Sequence, residues 1–192
     1  MERSSPVYQT YVKILERELV PAMGCTEPIA IAYCAAVARS VLGELPDRIH
    51  VVASGNIIKN VKSVVVPNTG GRRGMETAAA IGALGGDETA GLEVIAHVPQ
   101  KAKDRLERYL QETEITVGAA QTDHVLDIEV TVSKGNSRAV VRAVNEHTNL
   151  VYIEKNGQVL EERPIEKRED PDAPDYTLLN VADICEFART CE

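Results

Sequence analysis

The sequence contains no tryptophan and a single phenylalanine, Phe187, and aromatic residues make up only 4% of its 192 residues. A core without large rings has to be built from Ala, Val, Ile and Leu. The chain also lacks any apolar run of about 18 residues, which predicts no membrane span. Residues 1–10 lack the apolar stretch of a secretory signal. These absences predict a cytoplasmic protein with an aliphatic core.

Positive charge is scarce as well. The 21 Lys and Arg residues face 29 Asp and Glu residues, and the formal net charge is −8. Nucleic-acid-binding proteins carry basic stripes, and this sequence has none, so no nucleic-acid partner is expected. Its acidic balance leaves small molecules and other protein chains as the expected partners.

The four cysteines form no CxxC pair, which argues against a zinc ribbon or a thioredoxin-type site. Without a signal peptide, a disulfide framework is not expected. Cys34 lies among alanines and is predicted to be a core residue. The four histidines form no HxxxH or HExxH pattern and are predicted to lie at edges or on the surface. No metal ligands are therefore expected in this chain.

The spacing of apolar residues predicts an α+β fold, with buried small-residue helices around short strands, an antiparallel sheet region and a C-terminal helix. The predicted helices cover residues 7–20, 27–42, 56–62, 75–84 and 99–111. The predicted strands or extended segments cover residues 49–53, 64–66, 92–97, 114–117, 124–132, 138–144 and 150–154. Both helices 27–42 and 75–84 are rich in small side chains, which allow helices to approach closely.

Changes in composition divide the chain into four predicted parts. Residues 1–112 are mainly helical, and residues 113–161 form the antiparallel β part. Residues 162–176 are charged and contain prolines, which is typical of a linker. Residues 177–192 carry an apolar stripe with helical spacing and are predicted to form the C-terminal helix.

The segment 22–28, AMGCTEP, contains the strongest candidate for chemistry, Cys25. Thr26 is a good N-cap, and Glu27 suits the first turn of the helix that follows. A thiol at a helix N-terminus has a lowered pKa, so its thiolate becomes available as a base near neutral pH. The alternative is an inert buried cysteine, and the spacing alone leaves the two readings about equal.

Two further segments have the composition of small-anion sites. Residues 54–60, SGNIIKN, place polar side chains and one ammonium group beside a strand end, although a solvated turn explains the same pattern. Residues 67–74, PNTGGRRG, place glycines before a helix, as in an anion-binding nest. Their spacing matches neither a Walker loop nor GxGxxG. A tight turn with a helix cap is the alternative for this loop.

Two longer segments, ERELVPAMGCTEPIAIAYCAA and SGNIIKNVKSVVVPNTGGRRGMETAAAIGAL, resemble the iron–sulfur L-cysteine desulfidase family. That family is related to the α-type domain of iron–sulfur L-serine dehydratases. The resemblance is sharp over about residues 17–95 and loose afterwards. It implies an enzyme with a [4Fe–4S] cluster that eliminates the β-substituent of a small amino acid, converting L-cysteine to pyruvate, ammonia and sulfide, or acting on L-serine.

The resemblance also implies roles for particular residues. Cys25 is the expected proton acceptor, and Glu27 is a second catalytic residue that orients the thiol or the substrate. The expected substrate-binding residues are Thr26, Asn56, Lys59, Asn60, Asn68, Thr69 and Gly70.

Members of that family are about twice this long and hold the cluster with cysteines of their C-terminal half, to which this chain shows no match. The resemblance therefore implies an N-terminal part that holds no cluster and is inactive alone. A missing half or partner subunit would complete it, and a homo-oligomer is expected. Two other functions stay open: a pyridoxal-phosphate lyase with its Schiff base on Lys59, and a non-catalytic module that binds an amino acid or another subunit.

Overall fold

The α+β class predicted from the sequence is confirmed by the computed structural model of the chain, which describes residues 1–165 and 172–191. These residues contain six α-helices and a six-stranded mixed sheet. The helices are α1 Pro6–Glu18, α2 Thr26–Leu42, α3 Gly55–Val61, α4 Met75–Gly85, α5 Gln100–Glu112 and α6 Val181–Thr190. The strands are β1 Arg48–Ala53, β2 Glu114–Ala119, β3 Asp127–Lys134, β4 Ser137–Val144, β5 Leu150–Lys155 and β6 Gln158–Glu162.

The described residues form two compact units. One unit contains Ala22–Ile165, and the other contains Met1–Pro21 together with residues 172–191. We call them the sheet unit and the helix-pair unit. This grouping differs from the four predicted parts, because the predicted helical part supplies a strand to the sheet. Of the predicted linker 162–176, residues 166–171 lie outside the described residues.

The sheet has the strand order β2-β1-β3-β4-β5-β6. Strands β1 and β2 are parallel, and every other neighbouring pair is antiparallel. Helices α3, α4 and α5 lie between β1 and β2 in the chain, as a parallel connection requires. Within residues 113–161, strands β3 to β6 pair in the antiparallel manner that the sequence predicted, whereas β2 pairs in parallel with β1, which lies between β2 and β3.

Helices α2 and α4 pack against each other and against one face of the sheet. That face carries alternate residues of β1, β3 and β4, and Val51, Val130 and Val141 align across the three strands. The aliphatic core predicted from the composition is confirmed in this unit. Cys34 is fully buried in it, and burial raises its pKa to about 12, so this thiol is inert.

Three local predictions were wrong. Residues 92–97 do not form a strand, because a short 3-10 helix at Gly91–Glu93 and turns occupy this segment. Strand β6 was not predicted, because its short sequence QVLEE runs into the charged segment that begins at Glu161. Helix α6 begins at Val181 because the side chain of Asn180 accepts a hydrogen bond from the backbone N–H of Asp183 and so caps the helix there.

In the helix-pair unit, the single phenylalanine has a structural role. The ring of Phe187 on α6 lies 4.9 Å from the ring of Tyr8 and 5.4 Å from the ring of Tyr11, both on α1. Ile14 completes the buried apolar cluster of this unit. None of the described helices is long and apolar enough to cross a membrane.

Candidate functional site

One end of the sheet brings together segments that are distant in the sequence. Ala53, the last residue of β1, pairs with Ile128 of β3, and Asp127 of β3 pairs with Val144, the last residue of β4. The segments after β1, before β3 and after β4 therefore meet at this end. Hydrogen bonds hold them together: the hydroxyl of Ser54 donates to the carbonyl oxygen of Val125 over 2.7 Å.

A cavity of about 380 Å³ opens among these segments. Its wall is formed by Glu27, Asn56, Ile57, Asp123, His124, Val125, Leu126, Asn145 and His147. The volume is within the range of small-molecule sites. Six of the nine wall residues are polar or ionisable, which favours a polar ligand. This cavity is the candidate functional site of the sheet unit.

Glu27 joins this cavity to the AMGCTEP segment. Cys25 is the N-cap residue of α2, where Thr26 was expected, and its side chain does not cap the helix. Instead, its Sγ donates a hydrogen bond to Oε2 of Glu27 over 2.9 Å. The other carboxylate oxygen, Oε1, accepts a hydrogen bond from Nδ2 of Asn60 over 3.0 Å. The sequence predicted all three residues, and the structure connects them into one chain of hydrogen bonds.

The pKa of Cys25 is raised, so the prediction of a lowered pKa was wrong. Burial raises the pKa first, and the hydrogen bond to the Glu27 carboxylate raises it further. The pKa of Glu27 is lowered, chiefly by the same hydrogen bond and to a smaller extent by Asn60. Near neutral pH the pair is therefore a thiol beside a carboxylate, because two neighbouring anions would repel each other.

Replacing Glu27 with glutamine is expected to move the alkylation of Cys25 to lower pH. Loss of the carboxylate removes its repulsion of the thiolate, although burial still keeps the thiol pKa above its ordinary value. The measurement is the pH dependence of iodoacetamide alkylation, with the exposed Cys185 and Cys191 replaced by serine. A matched control is Glu44→Gln, which removes an exposed carboxylate just after the C-terminal end of α2, the end opposite Cys25. An unchanged alkylation profile in Glu27→Gln would show that the Glu27 carboxylate does not affect the pKa of the Cys25 thiol.

Two histidines belong to the cavity, although all four were predicted to lie at edges or on the surface. His147 is half-buried, and burial lowers its pKa, with the Glu27 charge opposing this. Nδ1 of His124 lies 3.1 Å from Oδ1 of Asn145. Neither histidine has a short-range sequence partner. Both lie in loops at the same end of the sheet. Locating them from the sequence would require knowing which strands pair.

The glycine-rich loop has a structural role. The Asn68 side chain donates to the carbonyl oxygen of Ile95 over 2.7 Å and accepts from Nζ of Lys103 over 3.1 Å. The Thr69 hydroxyl is buried and donates to the carbonyl oxygen of Val66. Gly70 has a φ of 69°, a left-handed conformation that favours glycine. These contacts favour the tight-turn alternative for this loop.

The roles in substrate binding that the sequence predicted for seven residues stay predictions. Asn68, Thr69 and Gly70 are not among the residues that form the cavity wall, and neither are Thr26 and Lys59. Lys59 is exposed, whereas a Schiff-base lysine needs an enclosed pocket for its cofactor. Asn56 does form part of the wall. Cys25 and Asn60 do not, and each is connected to the wall by its hydrogen bond to Glu27.

Within residues 1–165 and 172–191, no group of three or more His, Cys, Asp or Glu side chains is placed to hold a metal ion. Cys25 and Cys34 are the two cysteines of the sheet unit, and Cys34 lies in the core with its thiol protonated. These residues do not fit an iron–sulfur cluster, whose irons are bound by several thiolates.

The chain is similar to several longer bacterial proteins. A UPF0597 protein of Desulfitobacterium hafniense is 49% identical over 193 residues, which cover 98% of this chain and 44% of the relative. A UPF0597 protein of Treponema denticola is 45% identical over 184 residues, which cover 95% of this chain and 43% of the relative. No family model matches the chain. The chain therefore spans less than half the length of the curated relatives it matches.

These relatives overturn the assignment to the iron–sulfur lyases. They are named UPF0597 proteins, and that name includes neither an iron–sulfur nor a lyase term. The described residues also contain no group placed to hold a metal. The prediction that this chain is a fragment of an iron–sulfur L-cysteine or L-serine lyase was wrong, and with it the role of Cys25 as that enzyme's proton acceptor.

Proposed function

We propose that the cavity is the active site of a proton-transfer enzyme, in which Glu27 holds the ammonium group of a small polar substrate and Cys25 donates a proton. The hydrogen-bonded chain of Cys25, Glu27 and Asn60 carries the proposal. Each oxygen of the carboxylate accepts one hydrogen bond from the protein, and carboxylate oxygens have further lone pairs for a ligand.

The charge of the cavity supports an ammonium ligand. Glu27 and Asp123 are carboxylates in its wall, whereas the polar groups beside them are amides and imidazoles. The lowered pKa of His147 favours the neutral imidazole at neutral pH. The wall therefore carries negative charge that no cationic wall residue balances, which attracts a cation. The small amino acid predicted as a substrate has such a group and remains a proposal.

Binding of a cation changes the acidity of the thiol. The Glu27 carboxylate raises the pKa of Cys25 because the thiolate would form beside a negative charge. An ammonium group at Glu27 offsets that charge, so the thiol becomes a stronger acid only when the substrate is bound. The S–H bond then breaks, and its proton passes to a basic atom of the substrate other than the ammonium nitrogen, whose lone pair forms the new bond. The S–H electron pair stays on sulfur as a thiolate at the N-terminus of α2, whose dipole stabilises an anion.

The proposal is argued from the site of this chain alone. The activity, substrate and partners of the whole protein are proposals in the same sense. We also assign the protein to the cytoplasm, where the thiols are kept reduced. The free thiol of Cys25 supports this assignment, since the proposed proton donor has to remain reduced.

Ethylammonium is expected to bind the chain, and propionate is not. Amide chemical shifts of residues in the cavity wall, such as Asn56 and His147, measure binding by NMR titration. Glu27→Gln should weaken ethylammonium binding by about tenfold or more, because a hydrogen bond between charged groups is lost. The control Glu44→Gln should retain the affinity. Equal binding of propionate, or unchanged affinity in Glu27→Gln, would contradict the proposed role of Glu27.

The same probe tests the proton donor. Saturating ethylammonium is expected to move the alkylation profile of Cys25 to lower pH in the wild-type chain. The shift should disappear in Glu27→Gln, since the cation no longer binds beside the thiol. A chain that binds ethylammonium without any change in this profile would leave Cys25 outside the proposed mechanism.

A further inference from the structure

The helix-pair unit exposes an unusual number of large apolar side chains near one end. On α1 and the residue after it, Leu15 and Leu19 lie four positions apart, which places them on the same side of the chain. Leu19 is 70% exposed. On the other segment, Leu179 and Ile184 are exposed, and Val181 is 77% exposed. We call these five residues the apolar end.

Three contacts place the two halves of the apolar end beside each other. The Tyr11 hydroxyl on α1 donates to the carbonyl oxygen of Leu178 over 2.9 Å. The Tyr176 hydroxyl donates to the carboxylate of Glu18 over 2.5 Å. Phe187 packs on Tyr8 and Tyr11, and its neighbour Glu186 forms an ion pair with the N-terminal ammonium of Met1. The two helices are therefore antiparallel, and residues 176–180, which precede α6, lie along the second half of α1.

The buried part of this unit is small compared with its exposed apolar part. Its core consists of four buried side chains: Tyr8, Tyr11, Ile14 and Phe187. The apolar end adds five exposed aliphatic side chains. Single exposed apolar residues are ordinary, but several of them on a unit with so small a core are typical of an interaction surface.

The length of the relatives indicates what covers this surface. The matched region includes 98% of this chain but only 44% of the Desulfitobacterium hafniense relative. More than half of that polypeptide thus lies outside the matched region. A contact of that polypeptide with the matched part would gain the most free energy at an apolar surface.

We propose that the apolar end is the docking surface for the additional polypeptide of the longer relatives, which covers it with an apolar face of its own. This interaction is separate from the proposed chemistry of the cavity, because all the residues that form the apolar end belong to the helix-pair unit. A second copy of this chain is the competing occupant.

Hydrogen–deuterium exchange on the intact Desulfitobacterium hafniense relative and on this chain alone tests the proposal. In the relative, peptides aligned with residues 15–20 and 179–184 should exchange at least about tenfold more slowly than in this chain, as burial of one large aliphatic side chain implies. In this chain, the same peptides should exchange rapidly at a concentration where light scattering shows a monomer. Equal exchange in the two proteins would overturn the proposal.

Two substitutions separate the two occupants. Ile184→Glu, made at the aligned position of the relative, should abolish the slow exchange, whereas the control Val159→Glu, an exposed position on strand β6, should retain it. In this chain, Ile184→Glu should leave the mass from light scattering unchanged. A dimer of this chain that Ile184→Glu converts to a monomer would show that a second copy covers the apolar end, and the proposal would fail.

Discussion

Replacing Gly82 with alanine is expected to lower the free energy of unfolding by roughly 3 kcal/mol or more, the upper part of the range for overpacking. A Cβ added at Gly82 would lie 2.1 Å from the carbonyl oxygen of Ala32 and 2.7 Å from its Cα. Both atoms belong to the backbone of α2, which cannot rotate away as a side chain would. Relief of the clash requires α2 and α4 to separate across their whole contact.

Equilibrium unfolding in urea, followed by far-UV circular dichroism, measures this loss. The matched control is Gly55→Ala, since nothing lies within 4 Å of a Cβ at Gly55. Because alanine has the higher helix propensity, we expect this control to be neutral or to stabilise α3 by up to about 1 kcal/mol. A Gly82→Ala variant as stable as Gly55→Ala would show that the two helices are not in close contact in solution.

Replacing Asp127 with alanine is expected to lower the free energy of unfolding by about 3 kcal/mol, the lower end of the range for breaking a buried ion pair. Nε and Nη2 of Arg142 donate to the two oxygens of Asp127 over 2.9 Å and 2.7 Å. The Asp127 side chain is almost fully buried, whereas that of Arg142 is about one-third exposed. Water therefore compensates the arginine in part, which is why we expect the lower value.

The contribution of Asp127 depends on pH in a defined direction. Burial alone would raise its pKa, but the hydrogen bonds and the charge of Arg142 outweigh burial and lower it. For a carboxyl group whose folded pKa is lowered, the stabilisation is complete above the ordinary value of 3.8 and is lost as the pH falls through the folded pKa. Asp127→Ala should thus be less sensitive to acid than the wild type.

The control for this prediction is the exposed pair of Arg108 and Glu112 on α5. Glu112→Ala should cost no more than about 0.5 kcal/mol, because water screens a surface pair. Unfolding curves at neutral pH and at several acidic pH values compare the two variants. If both variants lost the same amount of stability, the ion pair of Asp127 with Arg142 would contribute no more than a surface pair.

Much of the helix and strand content was predictable from local patterns. Apolar spacing located α1 to within a few residues, because one face of it has to contact the core. The runs of small apolar residues located α2 and α4, and Pro99 located the start of α5. The burial of Cys34 followed from its alanine neighbours. The error at residues 92–97 arose because a short apolar run fits a strand or a buried turn equally well.

The candidate site was only partly predictable, and the reason is its distance in sequence. Cys25, Glu27 and Asn60 lie in recognisable segments, and they form one hydrogen-bonded chain. His124 and His147 lie in loops that meet Glu27 only after β3 and β4 have paired with β1. No local pattern contains that information, since strand order depends on contacts between distant segments.

The sequence by itself determined an aliphatic, aromatic-poor α+β protein, its small-residue helices and the segment that carries Cys25 and Glu27. The tertiary structure decided the parallel pairing of β1 with β2, the histidines of the cavity and the sign of the Cys25 pKa shift. A helix N-terminus alone favours a thiolate, but burial and the Glu27 carboxylate outweigh it here. These two effects depend on distances and solvent access, which only the folded chain defines.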